Sequence, residues 1–142
     1  MQASAIPSHT PSRAAVFGAR GGIGGALVAA LASEGWEVAA GSRNAARVPG
    51  AHGSFAFDLD DEASLAAAAE ALHRDTTLVI VATGALTLAD GRGPERSLRQ
   101  LDGDALVHSF RINAIGPALI ASMSCRACRA IAGPSLQPWA RG

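Results

Sequence analysis

Neither tyrosine nor lysine occurs in the 142 residues, and all twelve basic side chains are arginines. No phenol and no side-chain ammonium is therefore available to whatever chemistry the chain carries. An excess of one charge is lacking too, since 12 basic residues balance 12 acidic ones. Zero net charge with scattered signs leaves no electrostatic footprint for nucleic acid. No apolar run approaches the ~20 residues needed to cross a bilayer, so no membrane contact is expected. Aromatics supply only 4% of a chain that is 49% hydrophobic, and alanine carries much of that fraction. The core should be closely packed from small side chains.

Cysteine is equally scarce. Cys125 and Cys128 form a lone C-x-x-C near the C-terminus. Such a pair can be redox-active or half of a zinc site, but no second pair and no close histidine completes it, and an incidental pair is the simpler reading. His9, His52, His73 and His108 are dispersed, so no metal site is expected. Residues 1–13 lack the basic start and apolar stretch of a secretory signal and read as a disordered leader, which makes the reduced cytoplasm the expected compartment. The length suits one domain.

What is present is an alternation of short apolar runs and helical stretches. Residues 14–17 (AAVF) enter a glycine cluster, and a helix follows to about Glu34, with Ile23, Leu27, Ala30 and Leu31 at three- and four-residue spacing and Gly35 at its C-cap. Residues 37–40 form a second strand. Residues 54–59 form a third, with Phe55 and Phe57 turned to one face. Residues 61–73 form an Ala-rich helix with Leu65, Ala69 and Leu72 on one stripe. The run 77–82 (TLVIVA) is the most β-branched and reads as a central strand buried on both faces. One helix is expected over about 102–123. The order βαββαβα predicts an α/β fold, a doubly wound Rossmann-like parallel sheet that is incomplete, about four strands in the order 3-2-1-4. The expected division is a leader at 1–13, a nucleotide-binding half-domain at 14–123 and an irregular tail at 124–142.

A strand running into a glycine-rich turn and then a helix presents backbone N–H groups and the positive end of a helix dipole, a site for a pyrophosphate. The spacing here is G-x-x-x-G-x-G, from Gly18, Gly22 and Gly24. Gly18 can turn the chain, Gly22 can let a phosphate approach and Gly24 can let the helix pack on the sheet; a tight turn without a ligand is the alternative. About 20 positions after the first glycine an acid would accept from an adenosine ribose 2′-OH. Residues 38–43 read VAAGSR and hold none. Arg43 and Arg20 can instead grip a 2′-phosphate, which favours NADP over NAD, or can be solvated surface charges. Asp58 can accept from an adenine amino group or can N-cap the following helix together with Asp60 and Asp61. Phe110 and Asn113 fall four and seven residues on from Leu106, so Asn113 lies on a face that Leu106 and Phe110 should bury. Pro117 has no N–H, so the Asn113 carbonyl loses its helical partner and is free to hold a water; a satisfied helix Asn beside a proline kink is the other reading.

With the loop at residues 18–24, Asp58-Leu59, Ala82-Thr83-Gly84 and Asn113, the chain resembles the short-chain dehydrogenase/reductase family over about residues 14–122. Pro94-Glu95-Arg96-Ser97-Leu98 with Ile112-Asn113-Ala114-Ile115-Gly116-Pro117 looks most like its C-factor-type members. The resemblance implies an NAD(P)-binding fold and an oxidoreductase that transfers hydride to or from a small-molecule carbonyl or alcohol. Cofactor contacts would fall at Gly18, Ala19, Arg20, Gly22, Ile23, Gly24, Arg43, Asp58, Leu59, Ala82, Thr83 and Gly84. Asn113 would match the asparagine that holds a water in a proton relay, and assembly as a homo-oligomer is compatible.

The departures are informative. Val81-Ala82-Thr83-Gly84 stands where the family usually carries Asn-Asn-Ala-Gly, so the amides that brace that strand are lost. The family's acid is a Tyr tuned by a Lys four residues on, and neither residue type is present. Residues 124–142 hold both cysteines, no acid and no periodicity, as a frameshifted reading of a GC-rich gene would; a divergent but real tail is the alternative. The expectation is an inactive fragment of an NADP-dependent oxidoreductase, the N-terminal half only. A non-catalytic NADP-binding or regulatory module and an unrelated small α/β domain are the other readings.

Overall fold

A computed structural model of the chain describes residues 12–87, 91, 93 and 95–127. They form β1 (Arg13–Phe17), α1 (Gly22–Ser33), β2 (Glu37–Ser42), β3 (Gly53–Ala56), α2 (Glu62–Ala71) and β4 (Thr76–Val81). After a 3-10 turn at Leu98–Gln100 come α3 (Gly103–Phe110), a π turn (Arg111–Ile115) and α4 (Gly116–Ala127). Ser12 and Arg13 apart, the expected leader lies outside the described residues, as do Pro94 and the expected tail from Cys128 on.

The strands pair in parallel in the order β3-β2-β1-β4, giving a partial doubly wound α/β sheet. The two-residue period of β1 sends Ala15 and Phe17 to one face, where Phe57, Leu65, Ala68 and Leu72 meet Ile120 of α4. Val16 goes to the other face, against Val28 of α1 and Val38, Ala40 and Val48. Phe17 takes Phe55 and Phe57 edge-on at ring distances of 4.9 and 5.0 Å. Gly41 of β2 makes room for them, since a Cβ there would stand 2.6 Å from the Phe55 ring.

Several elements differ from the sequence expectation. Two-sided burial falls to β1, not to β4: at the edge, where the expected order 3-2-1-4 puts it, β4 has a neighbour on one side alone among the described residues, and Leu78, Val79, Ile80 and Val81 are only half-buried. On α1 the buried residues are Gly24 and Val28, while Ile23 is 76% exposed. The close seat of Gly24 on the loop before it turns the helix one residue round from the expected stripe. The stripe on α2 is as expected, with Leu65, Ala69 and Leu72 all buried. Gly35 closes α1 at φ +81°. β3 ends at Ala56, ahead of a turn in which Asp60 N–H donates to Asp58 Oδ1 at 3.0 Å.

The helix expected over 102–123 is broken in its middle. Pro117 cannot donate to the Asn113 carbonyl, and the ladder widens there to a π turn whose end is marked by Gly116 N–H donating to Arg111 O. No helix among the described residues is long and apolar enough to cross a membrane.

Candidate dinucleotide-binding site

In an open parallel sheet, ligands bind outside the carboxyl ends of the strands. The cofactor-contact and relay residues singled out from the sequence fall on the connections that leave those ends, in the first turn of α1, or on the π turn beside them.

The β1–α1 loop is built on backbone contacts. Gly18, at φ +83°, and Ala19 both donate their N–H to Gly41 O, at 3.1 and 3.0 Å. A Cβ on Gly18 would stand 2.7 Å from Ala82 O, and one on Gly24 only 2.2 Å from Gly18 O. Packing alone demands glycine at these two positions. Gly22 differs: apart from its chain neighbours and its own helix backbone, no described residue lies within 4 Å of where its Cβ would be. Protein packing gives no reason for glycine there, whereas an approaching ligand would.

The helix that follows starts without a side-chain cap at Gly21. The N–H groups of Gly22, Ile23 and Gly24 have no partner among the described residues. Three unmet donors and the helix dipole point into the opening that Gly22 leaves. Ile23 and Arg20 are exposed beside it.

At the end of β2, Ser42 is buried and its hydroxyl accepts from Ala46 N–H at 3.2 Å, holding a turn in which Ala45 sits at φ +50°. Arg43 projects from that turn, exposed. Neither it nor Arg20 is in an ion pair with another described residue. At the end of β3 the helix cap is Asp61, which accepts from the N–H of Ala63 and Ser64 at 3.0 and 3.3 Å. Asp58 is therefore not the cap. It is exposed, with Oδ1 on Asp60 N–H and its own N–H donated to Ser64 Oγ. Leu59 packs against the core cluster beneath.

At the end of β4, Ala82 and Thr83 are half-buried and Gly84 is exposed; the Thr83 hydroxyl is buried and makes no hydrogen bond among the described residues. Asn113 reaches over from the π turn, accepting Ala85 N–H at Oδ1 and donating Nδ2 to Ala85 O, both at 2.9 Å. Its Nδ2 also lies 3.4 Å from Ser109 Oγ. Asn113 thus has a partner, but not a buried one: it is itself exposed, and Phe110 on the same face is 64% exposed. Among the described residues α3 runs alongside no strand and no helix except the turn that continues it; Ala105 is buried, but Leu106, Val107 and Phe110 are exposed. The side-chain amide that braces the segment after β4 comes from the π turn rather than from the strand.

One contact in the site carries no local sequence signal. Asp60 and Arg111 are ion-paired at 3.2 Å across 51 positions. No group of three His, Cys, Asp or Glu capable of holding a metal occurs among the described residues.

No family model matches the chain, and no curated protein sequence matches it. Solved structures do. A protein of Burkholderia multivorans assigned as a short-chain alcohol dehydrogenase superposes with a TM-score of 0.70 at 21% identity, over 84% of this chain and 57% of its own. A short-chain dehydrogenase/reductase of Serratia marcescens gives 0.64 at 26% identity, over 83% of this chain and 51% of its own. The NADH-dependent reductase A1-R′ in complex with NAD gives 0.68 at 17%, over 82% and 52%. The chain spans just over half the length of these proteins. The architecture is a partial Rossmann fold of the short-chain dehydrogenase/reductase type.

Proposed function

We propose that the chain is the cofactor-binding part of a short-chain dehydrogenase/reductase of the C-factor type, and that it binds NADP(H) across the carboxyl ends of its strands. The observation that carries this reading is Gly22, kept free of a side chain where no described residue needs the space, in front of three N–H groups without a partner among the described residues. The pyrophosphate would lie there, along Gly18, Ala19, Gly22, Ile23 and Gly24. Arg43 and Arg20 would take the 2′-phosphate. Asp58 and Leu59 would meet the adenine, and the segment Ala82-Thr83-Gly84 would pass beneath the rest of the dinucleotide.

When bound, the nicotinamide supplies hydride exchange with a small carbonyl or alcohol. This chain's own contribution is to bind and orient, and Asn113 would hold a water at its main-chain carbonyl, which Pro117 leaves without a helical donor. The preference for NADP over NAD rests on the end of β2, where an arginine stands and no carboxylate does. Absence of Tyr and Lys from the chain favours a second reading, an NADP-binding module without turnover.

Arg43→Ala should weaken NADPH binding by about 1 to 3 kcal/mol and leave NADH binding nearly unchanged, as loss of one charge-assisted pair would. Calorimetric titration with both cofactors checks it. Equal losses for the two would remove Arg43 from the 2′-phosphate and with it the case for NADP.

A further inference from the structure

The π turn ties together two of the connections that make up the cofactor edge. On one side Asn113 closes two hydrogen bonds with the backbone of Ala85 after β4. On the other, Arg111 grips Asp60 after β3 at two points, its Nε 3.2 Å from Oδ1 and its terminal nitrogen donating to the Asp60 carbonyl at 3.0 Å. His108 stands 3.9 Å from the same carboxylate. Next to this contact Leu59 lies so close to the helix that a Cβ on Gly116 would be 2.6 Å from its Cδ2.

An exposed ion pair contributes little to stability by itself. Here, however, one guanidinium fixes both the side chain and the main chain of a single residue, and a planar fork with two contacts sets orientation as well as distance. Asp60 passes that orientation on, because its N–H donates to Asp58 Oδ1 at 3.0 Å. The path from Arg111 to the Asp58 carboxylate is thus two contacts long.

We propose that Arg111 is a positioning residue for cofactor binding: through Asp60 it sets the Asp58 carboxylate toward the adenine, so that the π turn aligns the adenosine end of the site and the segment after β4 together. The assignment rests on the reading of Asp58 as the adenine contact. It predicts that Arg111 matters to the ligand only by way of Asp58.

The test is a double-mutant cycle on the 142-residue chain, titrated with adenosine 2′,5′-bisphosphate, the adenine half of NADP. Arg111→Ala should weaken binding about three- to fivefold. Asp58→Asn should weaken it about tenfold. The double variant should lose no more than Asp58→Asn alone. Arg111→Lys, which keeps the charge and the fold but not the fork, should lose as much as Arg111→Ala. Additive losses, or a silent Arg111→Ala beside a damaging Asp58→Asn, would overturn the positioning role while leaving Asp58 at the adenine. A silent Asp58→Asn with Arg43→Ala still damaging would overturn the proposal at its premise and leave the cofactor reading standing. No binding of the bisphosphate by the folded wild-type chain would overturn that reading as well.

Discussion

Gly24→Ala is expected to strip the chain of a large part of its stability. The added methyl would stand 2.2 Å from Gly18 O, 2.8 Å from Gly18 C and 2.9 Å from Ala19 Cα. All three are backbone atoms, so no side chain can swing aside. The loop cannot retreat either, because Gly18 and Ala19 are both bonded to Gly41 O and Gly18 lies against the backbone of Ala82. Relief requires lifting α1 off the sheet and separating Val28 from Val16, Val38 and Val48. Overpacking of this kind costs at the top of the usual range for a point substitution, about 3 to 5 kcal/mol, against a total stability of about 5 to 15 kcal/mol for a domain. A urea or thermal melt followed by circular dichroism should show a midpoint far below that of wild type. A melt within a few degrees of wild type would mean that α1 does not sit on the loop as described.

The second large effect is on turnover. Purified as these 142 residues, the chain should bind NADPH and yet oxidise none of it in response to small ketones and aldehydes. Hydride addition to a carbonyl leaves an alkoxide that needs a positioned acid, and such an acid contributes about 10² to 10⁴ in rate. The Tyr and Lys that the family resemblance assigns to this step do not occur in the chain. Near the end of β4 the described structure offers the Thr83 hydroxyl and the Asn113 amide, and that amide is already bonded to Ala85 on both its oxygen and its nitrogen. An absorbance assay over a carbonyl panel decides it. Carbonyl-dependent turnover that disappears in Asn113→Ala would show that this chain holds its own acid.

The β1–loop–α1 unit and the sheet order could be read from the sequence because both follow from local pattern: an apolar run, a glycine cluster, a helix, and the right-handed parallel connections such units make. The aromatic pair Phe55 and Phe57 was legible for the same reason, as alternation survives into the packed sheet. What escaped depends on contacts distant in the chain. The inward face of α1 is set by where Gly24 meets Gly18, not by the spacing of its larger apolar residues, so Ile23 and Leu27 drew the stripe to the wrong side. The composition of β4 alone suits a central strand while the order 3-2-1-4 puts it at an edge; burial comes from neighbours, and a β-branched run has the same letters at either place. Periodicity places Asn113 on a buried face, whereas its partner is the main chain of Ala85, 28 positions away. The Asp60–Arg111 contact spans 51 positions and leaves no periodic trace.

The most direct test of the cofactor reading is Gly22→Ala, measured twice on the same preparation, by thermal melt and by NADPH titration. Among the described residues, nothing beyond its chain neighbours and its own helix backbone lies within 4 Å of the new methyl. Alanine also favours a helix more than glycine does, by up to about 1 kcal/mol. The melting temperature should therefore hold or rise slightly, while NADPH affinity falls by a factor of ten or more, on the order of 1.4 kcal/mol, because the methyl occupies the approach of the pyrophosphate. Unchanged NADPH affinity in a stably folded Gly22→Ala would contradict the reading and leave the glycine loop a turn without a ligand.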